Sequence, residues 1–380
     1  MARERILVAG AGIGGVAAAL ALTRRGFEVS VYERAPELRE VGAGLSIWPN
    51  ATHVLHELGV LDAVAERAWT MRSVAVRTDR GDTLFTFRAP RSGPPSLVLH
   101  RADLHGALVA ALPPGTVHLG SVVTGLEQRG NEVALRFSTG EEAVGDAVVG
   151  ADGLASVVRG ALHGVQAPLY RGYTVWRGIL KGTYPGHEAG LGSEMLGRGK
   201  RFGLFGTGAG HSYWYACETA PEGLPDDPQG AGEALRQRFG HWPEPVAAAA
   251  AAIDGRPVFR NDAYDRPPLK QWGRGRVTLL GDAAHPTTPN LGQGACLALE
   301  DALVLARCVD AGADDLPGAL RRYENARRRR AASIVLHSRW VGAVGQWRDP
   351  LAVRIRNTVG RLTPEVLSAG AMGLPLRYRA

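Results

Sequence analysis

The chain has 380 residues, 45% of them hydrophobic, which is enough to bury a substantial core as two closely joined domains. Its 50 glycines and 23 prolines are spread along the whole length, indicating many tight turns and excluding one long disordered tract. The net charge of +7 comes from scattered basic residues apart from Arg327 to Arg330, a run that reads as the solvated face of an amphipathic helix; with no aromatic-rich basic surface beside it, no nucleic-acid partner is expected.

Residues Arg5 to Ala9 read as a buried parallel strand opening into Gly10-Ala11-Gly12-Ile13-Gly14-Gly15. Gly14 to Arg25 reads as the following helix, stopped by Gly26, and Phe27 to Glu33 as a second strand that ends on an acid. Glycines before a helix leave backbone N–H groups open to a diphosphate, and an acid roughly 20 residues later suits a ribose hydroxyl. Glycines needed only for close packing would not explain that acid. The pattern points to dinucleotide binding. The chain enters this strand with no signal-peptide pattern, and Val16 to Leu22 is too short to span a bilayer. A soluble, cytoplasmic protein without a membrane span is expected. Cys217, Cys296 and Cys308 show no CxxC and no metal-ligand spacing, which suits a reducing compartment and gives no reason to expect a metal.

The middle of the chain changes character. Met71 to Phe87, Tyr170 to Lys181, Arg201 to Phe205 and His211 to Cys217 alternate and are bounded by glycine or proline, as strands of an antiparallel sheet would be. Between them Ala102 to Ala111 reads as a helix, and Val144 to Gly153 returns to a buried strand. Gly206 to Gly210 reads as a hairpin turn rather than a second dinucleotide site. From Gly275 the parallel-sheet pattern resumes as Arg276 to Asp282, followed by a helix over Gly294 to Val309. The expected architecture is mixed α/β. A Rossmann-like domain with a parallel sheet (1–70, 99–165, 270–337) is interrupted by a sheet-forming substrate domain (71–98, 166–269) and followed by a helical segment (338–380). Two glycine-led elements far apart suit one long cofactor with polar groups at both ends, most simply FAD.

GAGIGG at 10–15, GADGLASVVR at 150–159 and GDAAHPTTPNLGQG at 281–294 occur in an order that resembles the single-component FAD-dependent aromatic hydroxylases. VGAGLSIWPNA, YTVWRGIL, GRGKRFG and SYWY look most like FAD-dependent urate hydroxylases, and PNLGQGAC equally like zeaxanthin-epoxidase-type enzymes. The resemblance implies a monooxygenase that uses FAD, NADH or NADPH as a transient reductant, and O2 as co-substrate. It would hydroxylate a small aromatic, heteroaromatic or conjugated molecule through a flavin C4a-hydroperoxide. Epoxidation of an electron-rich alkene is the nearest alternative, and a non-catalytic flavin-binding protein the alternative of another class. A thiol–disulfide flavoenzyme is excluded by the cysteine spacing. A monomer or homodimer is expected.

The same resemblance assigns Gly10, Gly12 and Gly15 to the pyrophosphate, Glu33 to the adenosine ribose and Asp282 to the ribityl chain, with Gly14 and Arg34 in the cofactor-binding set. Arg101, Val123 and Asp152 join the cofactor set, with Pro289, Gly292, Gly294 and Ala295 beside the ring. The helix starting at Gly294 would turn its positive end towards the reduced flavin. Arg201 and Tyr213 match the urate-hydroxylase positions for substrate activation and orientation. Asn290, a catalytic candidate that aligns with the broader monooxygenase pattern, stands where the urate enzymes carry aspartate, and an amide cannot serve as that carboxylate, which argues against urate itself. Strand parity puts Tyr173, Val175, Arg177 and Ile179 on one face, Arg201, Gly203 and Phe205 on a second, and Tyr213 and Tyr215 on a third. An arginine among aromatics would hold an anionic substrate. Trp48, Arg177, Phe205 and Tyr215 are pocket candidates, Trp176 a flavin-cavity candidate, and His285 a structural residue rather than a base.

Overall fold

A computed structural model describes residues 4–38, 43–90, 93–225, 227–312, 315–363, 378 and 380. Its first layer is a five-stranded parallel sheet in the order Val277–Leu279, Ala147–Gly150, Arg5–Ala9, Glu28–Tyr32 and Val117–His118. Arg5–Ala9, Ala147–Gly150 and Val277–Leu279 are buried almost throughout because both faces are covered. Helix α1 (Ile13–Thr23) and helix α4 (Gly294–Asp310) pack against them, with α2 (Pro49–Glu57) and α3 (Arg101–Ala110) alongside. α1 starts one residue earlier and stops two earlier than expected, where Gly26, at φ +83°, turns the chain so that the Phe27 N–H returns to the Leu22 carbonyl.

The second layer is a seven-stranded sheet ordered Phe259–Asp265, Leu169–Lys181, His211–Thr219, Lys200–Gly206, Leu191–Leu196, Ser73–Thr78 and Thr83–Arg88. It is mixed rather than antiparallel throughout, because Leu191–Leu196 runs parallel to Ser73–Thr78. Gly206 to Gly210 is the hairpin expected, with Ala209 and Gly210 both at positive φ. One face of the sheet carries Trp176, Leu180, Met195, Phe202, Leu204 and Trp214 onto the short helices Ala231–Phe239 and Val246–Ala251. Trp176 therefore lies in this separate core, under Arg238 and Arg260, and not at a flavin cavity. The other face turns towards the cofactor domain.

A three-stranded meander (Val123–Arg129, Glu132–Phe137, Glu142–Gly145) and a small sheet of Gly44–Ile47, Leu97–His100 and Trp69–Thr70 complete the architecture. Helix α5 (Leu316–Gly345) runs unbroken through position 338, where the sequence suggests a separate segment, and α6 (Pro350–Leu362) follows. Residues 364–377 of that expected segment lie outside the described residues.

Candidate active site

The glycine turn divides its labour. Gly10 sits at φ +101°, and a side chain there would strike the Ala151 carbonyl at 2.6 Å; a Cβ on Gly15 would lie 1.9 Å from the Gly10 carbonyl. Gly14 does not face the groove: its Cβ would meet Leu280 and Ala298, so its lack of a side chain lets α1 pack on α4. Gly12 alone opens on free space, with nothing within 4 Å. α1 has no side-chain cap and no acid in its first turn, leaving its first N–H groups without an intrahelical partner. Glu33 accepts from the Ala11 N–H (2.8 Å) and the Ala35 N–H (2.9 Å), which places its carboxylate against the turn, while Arg34 beside it is exposed. His105, which the sequence did not single out, fixes the same turn through the Ala11 carbonyl at 2.6 Å.

The second and third motifs meet across the groove. Asp152 Oδ2 accepts from the Val157 and Val158 N–H groups (2.7 and 3.2 Å) and so starts helix Val157–His163. Burial pushes its carboxyl up against those hydrogen bonds, and Oδ1 is buried without a partner. Arg159, ending the same motif, donates to the Ala283 and Ala284 carbonyls (3.0 and 3.1 Å). Asp282 is reachable by solvent yet flanked by protein, as at the floor of an open groove. The loss of water raises its carboxyl pKa, against the pull of His285 and Arg101. The Arg101 N–H donates to Ala43 O (3.2 Å), beside the strand Gly44–Ile47. Val123 is partly buried at the start of the meander.

Pro289, Gly292, Gly294 and Ala295 keep access to solvent, whereas Gln293 points inward. Gly292, at φ +59°, faces the indole of Trp48, whose Nε1 would sit 3.1 Å from a side chain there. The first turn of α4 is also free of a side-chain cap and of acids. Behind it, Asn50 donates to Gln293 Oε1 (3.0 Å) and Glu300 Oε1 (2.6 Å). Arg327 binds Glu300 (2.6 Å) and Asp301 (2.7 Å), and Arg330 binds Glu300 (2.6 Å). His285 Nε2 lies 2.6 Å from Asp301 Oδ2 and is buried, which agrees with a structural role. The basic run is thus not a solvated face: Arg327 is fully buried, and only Arg329 of the four is exposed. The signal was present in two adjacent acids at the centre of the apolar helix LALEDALVLA, which require buried cations.

Strand register merges the three expected sheet faces into one. Arg201 pairs with Cys217, Gly203 with Tyr215 and Phe205 with Tyr213, while Arg177 pairs with Tyr215 and Ile179 with Tyr213. Directly paired residues share a face. Phe205 stacks on Tyr213 and Tyr215, with ring centroids 6.4 and 6.1 Å apart. Tyr213 lies against Gly44, where a side chain would clash at 2.4 Å, so this face abuts the strand leading to Trp48. Burial pushes the Tyr213 hydroxyl up to about 12, with Arg177 pulling it back.

The two arginines on this face differ. Arg201 is 4% exposed and committed to Asn290 Oδ1 (2.6 Å), Gln346 Oε1 (3.2 Å) and Glu194 (3.6 Å), over the Tyr173 ring. Asn290 also accepts from the Tyr173 hydroxyl (3.2 Å) and donates to Thr288 and Ser338 (both 2.9 Å). Arg177 is half-buried, its side chain has no hydrogen bond or ion pair among the described residues, and its Nε is sealed from water. A separate cavity of about 400 Å³ near Trp69, His187 and Thr207 contains none of the motif residues.

The FAD binding domain family matches residues 3–338. The chain belongs to the single-component FAD-dependent aromatic hydroxylases. It is 40% identical to the aurachin C monooxygenase/isomerase of Stigmatella aurantiaca, over 94% of each chain. It is 38% identical to the 3-amino-4-hydroxybenzoate 2-monooxygenase of Streptomyces cremeus, over 87% of this chain and 84% of that one. The solved Klebsiella pneumoniae HpxO complexed with FAD and uric acid superposes with a TM-score of 0.92 at 31% identity, covering 98% of this chain and 96% of that chain. FAD is the cofactor, and monooxygenation is the activity of the enzyme.

The residues present fit that cofactor. Gly12 opens on free space, both α1 and α4 begin without a side-chain cap, and Trp48 Nε1, Gln293 Nε2 and Asp152 Oδ1 are buried without partners among the described residues.

Proposed function

We propose that this enzyme hydroxylates a small, electron-rich aromatic or heteroaromatic that carries an anionic oxygen, with Arg177 as its counter-ion. The reading is carried by the contrast between the two arginines: Arg201 is committed to Asn290, Gln346 and Glu194, whereas the Arg177 side chain has no partner among the described residues. Its Nε is buried without a partner while the rest of the half-buried guanidinium stays accessible, which leaves it free to pair with an anionic ligand. The bound flavin supplies electron transfer and oxygen activation. Gly10, Gly12 and Gly15 with the first turn of α1 would cradle its phosphates, Glu33 the ribose, Asp282 and Arg101 the ribityl side, and the first turn of α4 the ring.

The protein's share of the chemistry is binding and exclusion. Arg177 holds the substrate oxygen ionised, which keeps the ring electron-rich. Tyr213 stays protonated at neutral pH, its hydroxyl standing near 12, and so donates a hydrogen bond instead of acting as a base. Phe205 and Tyr215 form the apolar wall that keeps water away. Arg201 and Asn290 orient this face by tying it to α5. NADH or NADPH would visit the groove transiently.

A panel of phenolate, hydroxypyridine and quinolone substrates tests the reading, scored by stimulated NAD(P)H oxidation and by labelled oxygen in the product. Label in a ring hydroxyl of an anionic substrate is expected; an epoxide would move the assignment to alkenes. Preference for neutral substrates with no anionic group would overturn the role of Arg177.

A further inference from the structure

We propose that the outer face of α6 docks this protein on an anionic phospholipid surface. Leu351, Ile355, Val359 and Leu362 recur at i, i+4, i+8 and i+11, which places them on one stripe. They are 66%, 51%, 59% and 75% exposed. The inward side of the same helix carries Arg356, buried, which donates to the Gly197 and Gly345 carbonyls at 3.2 Å. α6 is therefore held by Arg356 and by Gly360 against Leu84 and Phe85, while its largest apolar side chains face outward, the reverse of an ordinary surface helix. Immediately upstream, Leu336 (49%), Trp340 (64%) and Trp347 (36%) are exposed as well. Single exposed apolar residues are ordinary, but a continuous stripe marks an interaction site.

Charge identifies the occupant. No acid occurs from Asn325 to Arg348 or from Pro350 to Leu362. The intervening Asp349 is spent capping α6, accepting from the Leu351 and Ala352 N–H groups at 2.9 Å. Arg354 is exposed beside the stripe, and Arg329 is exposed on α5; Arg361 is exposed but engages Asp82 at 2.8 Å. A second copy of the chain would set these cations against themselves across a two-fold axis, and the exposed carboxylate that touches this helix, Asp82, is already held by Arg361. Lipid phosphates would receive them, and exposed tryptophans suit the headgroup boundary. The helix is too short to cross a bilayer and would lie in the plane of the interface, and no described helix is long and apolar enough to span.

The test is co-sedimentation of the full-length, FAD-loaded enzyme with phosphatidylcholine vesicles, with and without phosphatidylglycerol. Association with the anionic vesicles alone, weakening as salt rises, is expected. Replacing Leu351, Ile355 and Val359 by glutamine together is expected to lower partitioning more than ~tenfold, and Arg354→Gln to lower it about fivefold. NAD(P)H oxidation without vesicles is expected to stay unchanged in these variants, since none touches the flavin groove, so a failed active-site assignment would not mimic the result. Equal recovery in the supernatant with every vesicle, or unchanged partitioning of the triple variant, overturns the proposal. A doubling of mass in light scattering that the triple variant abolishes, without vesicle binding, would give the face to a second copy instead.

Discussion

Arg177 and Arg201 stand on one sheet face in opposite electrostatic situations, and variants separate them. Arg177→Gln is expected to raise KM for an anionic substrate roughly tenfold or more, with flavin content and melting temperature unchanged, because its side chain makes no hydrogen bond or ion pair among the described residues. Arg201→Ala leaves Glu194 and Asn290 facing a void and is expected to cost roughly 3 kcal/mol of stability, read as a lowered Tm. Stability unchanged in that variant would show the buried network to be dispensable. Asp301 gives a pH signature. Burial alone would raise its pKa, but His285 and Arg327 bring it down from 3.8 to about 2. A depressed carboxyl contributes stability that is complete above its unfolded pKa and lost as pH falls through the folded one. Asp301→Asn is therefore expected to flatten the fall in Tm between about pH 4 and pH 2, relative to the parent protein.

At the scale of elements, the glycine turn is the sharpest case. Gly15→Ala puts a carbon 1.9 Å from the Gly10 carbonyl and is expected to abolish folding, whereas Gly12→Ala meets nothing in the protein. Gly12→Ala is expected to leave the Tm of the flavin-free protein intact while lowering bound FAD, measured by absorbance per chain. An equal loss of apoprotein Tm would make Gly12 a packing residue. The βαβ start and α4 were legible because apolar periodicity and glycine punctuation are local signals. Register was not legible. Parity sorts the residues of each strand into faces, but only pairing shows that Arg177, Phe205 and Tyr213 share one and that Trp176 belongs to the other core. Arg327 read as solvated because its partners, Glu300 and Asp301, lie a whole helix away in sequence. Gly14 read as a cofactor contact because the motif does not distinguish a glycine facing a ligand from one facing a helix.

At the scale of the molecule, the parallel sheet presents two glycine-led helices to a shared groove, and the seven-stranded sheet turns an aromatic face with an unspent arginine towards it. The small sheet carrying Gly44–Ile47 joins the two, touching Tyr213 at one end and leading to Trp48 and Gly292 at the other. Asp282 belongs to this junction, with Arg101 and His285 acting on its carboxylate. The most direct measurement is the flavin stoichiometry of purified Asp282→Ala beside the parent protein, read by absorbance and by calorimetric titration of FAD. The parent is expected to carry FAD and the variant to lose most of it, with the apoprotein Tm unchanged. Full occupancy in the variant, at parental affinity, would contradict a flavin lying along this groove.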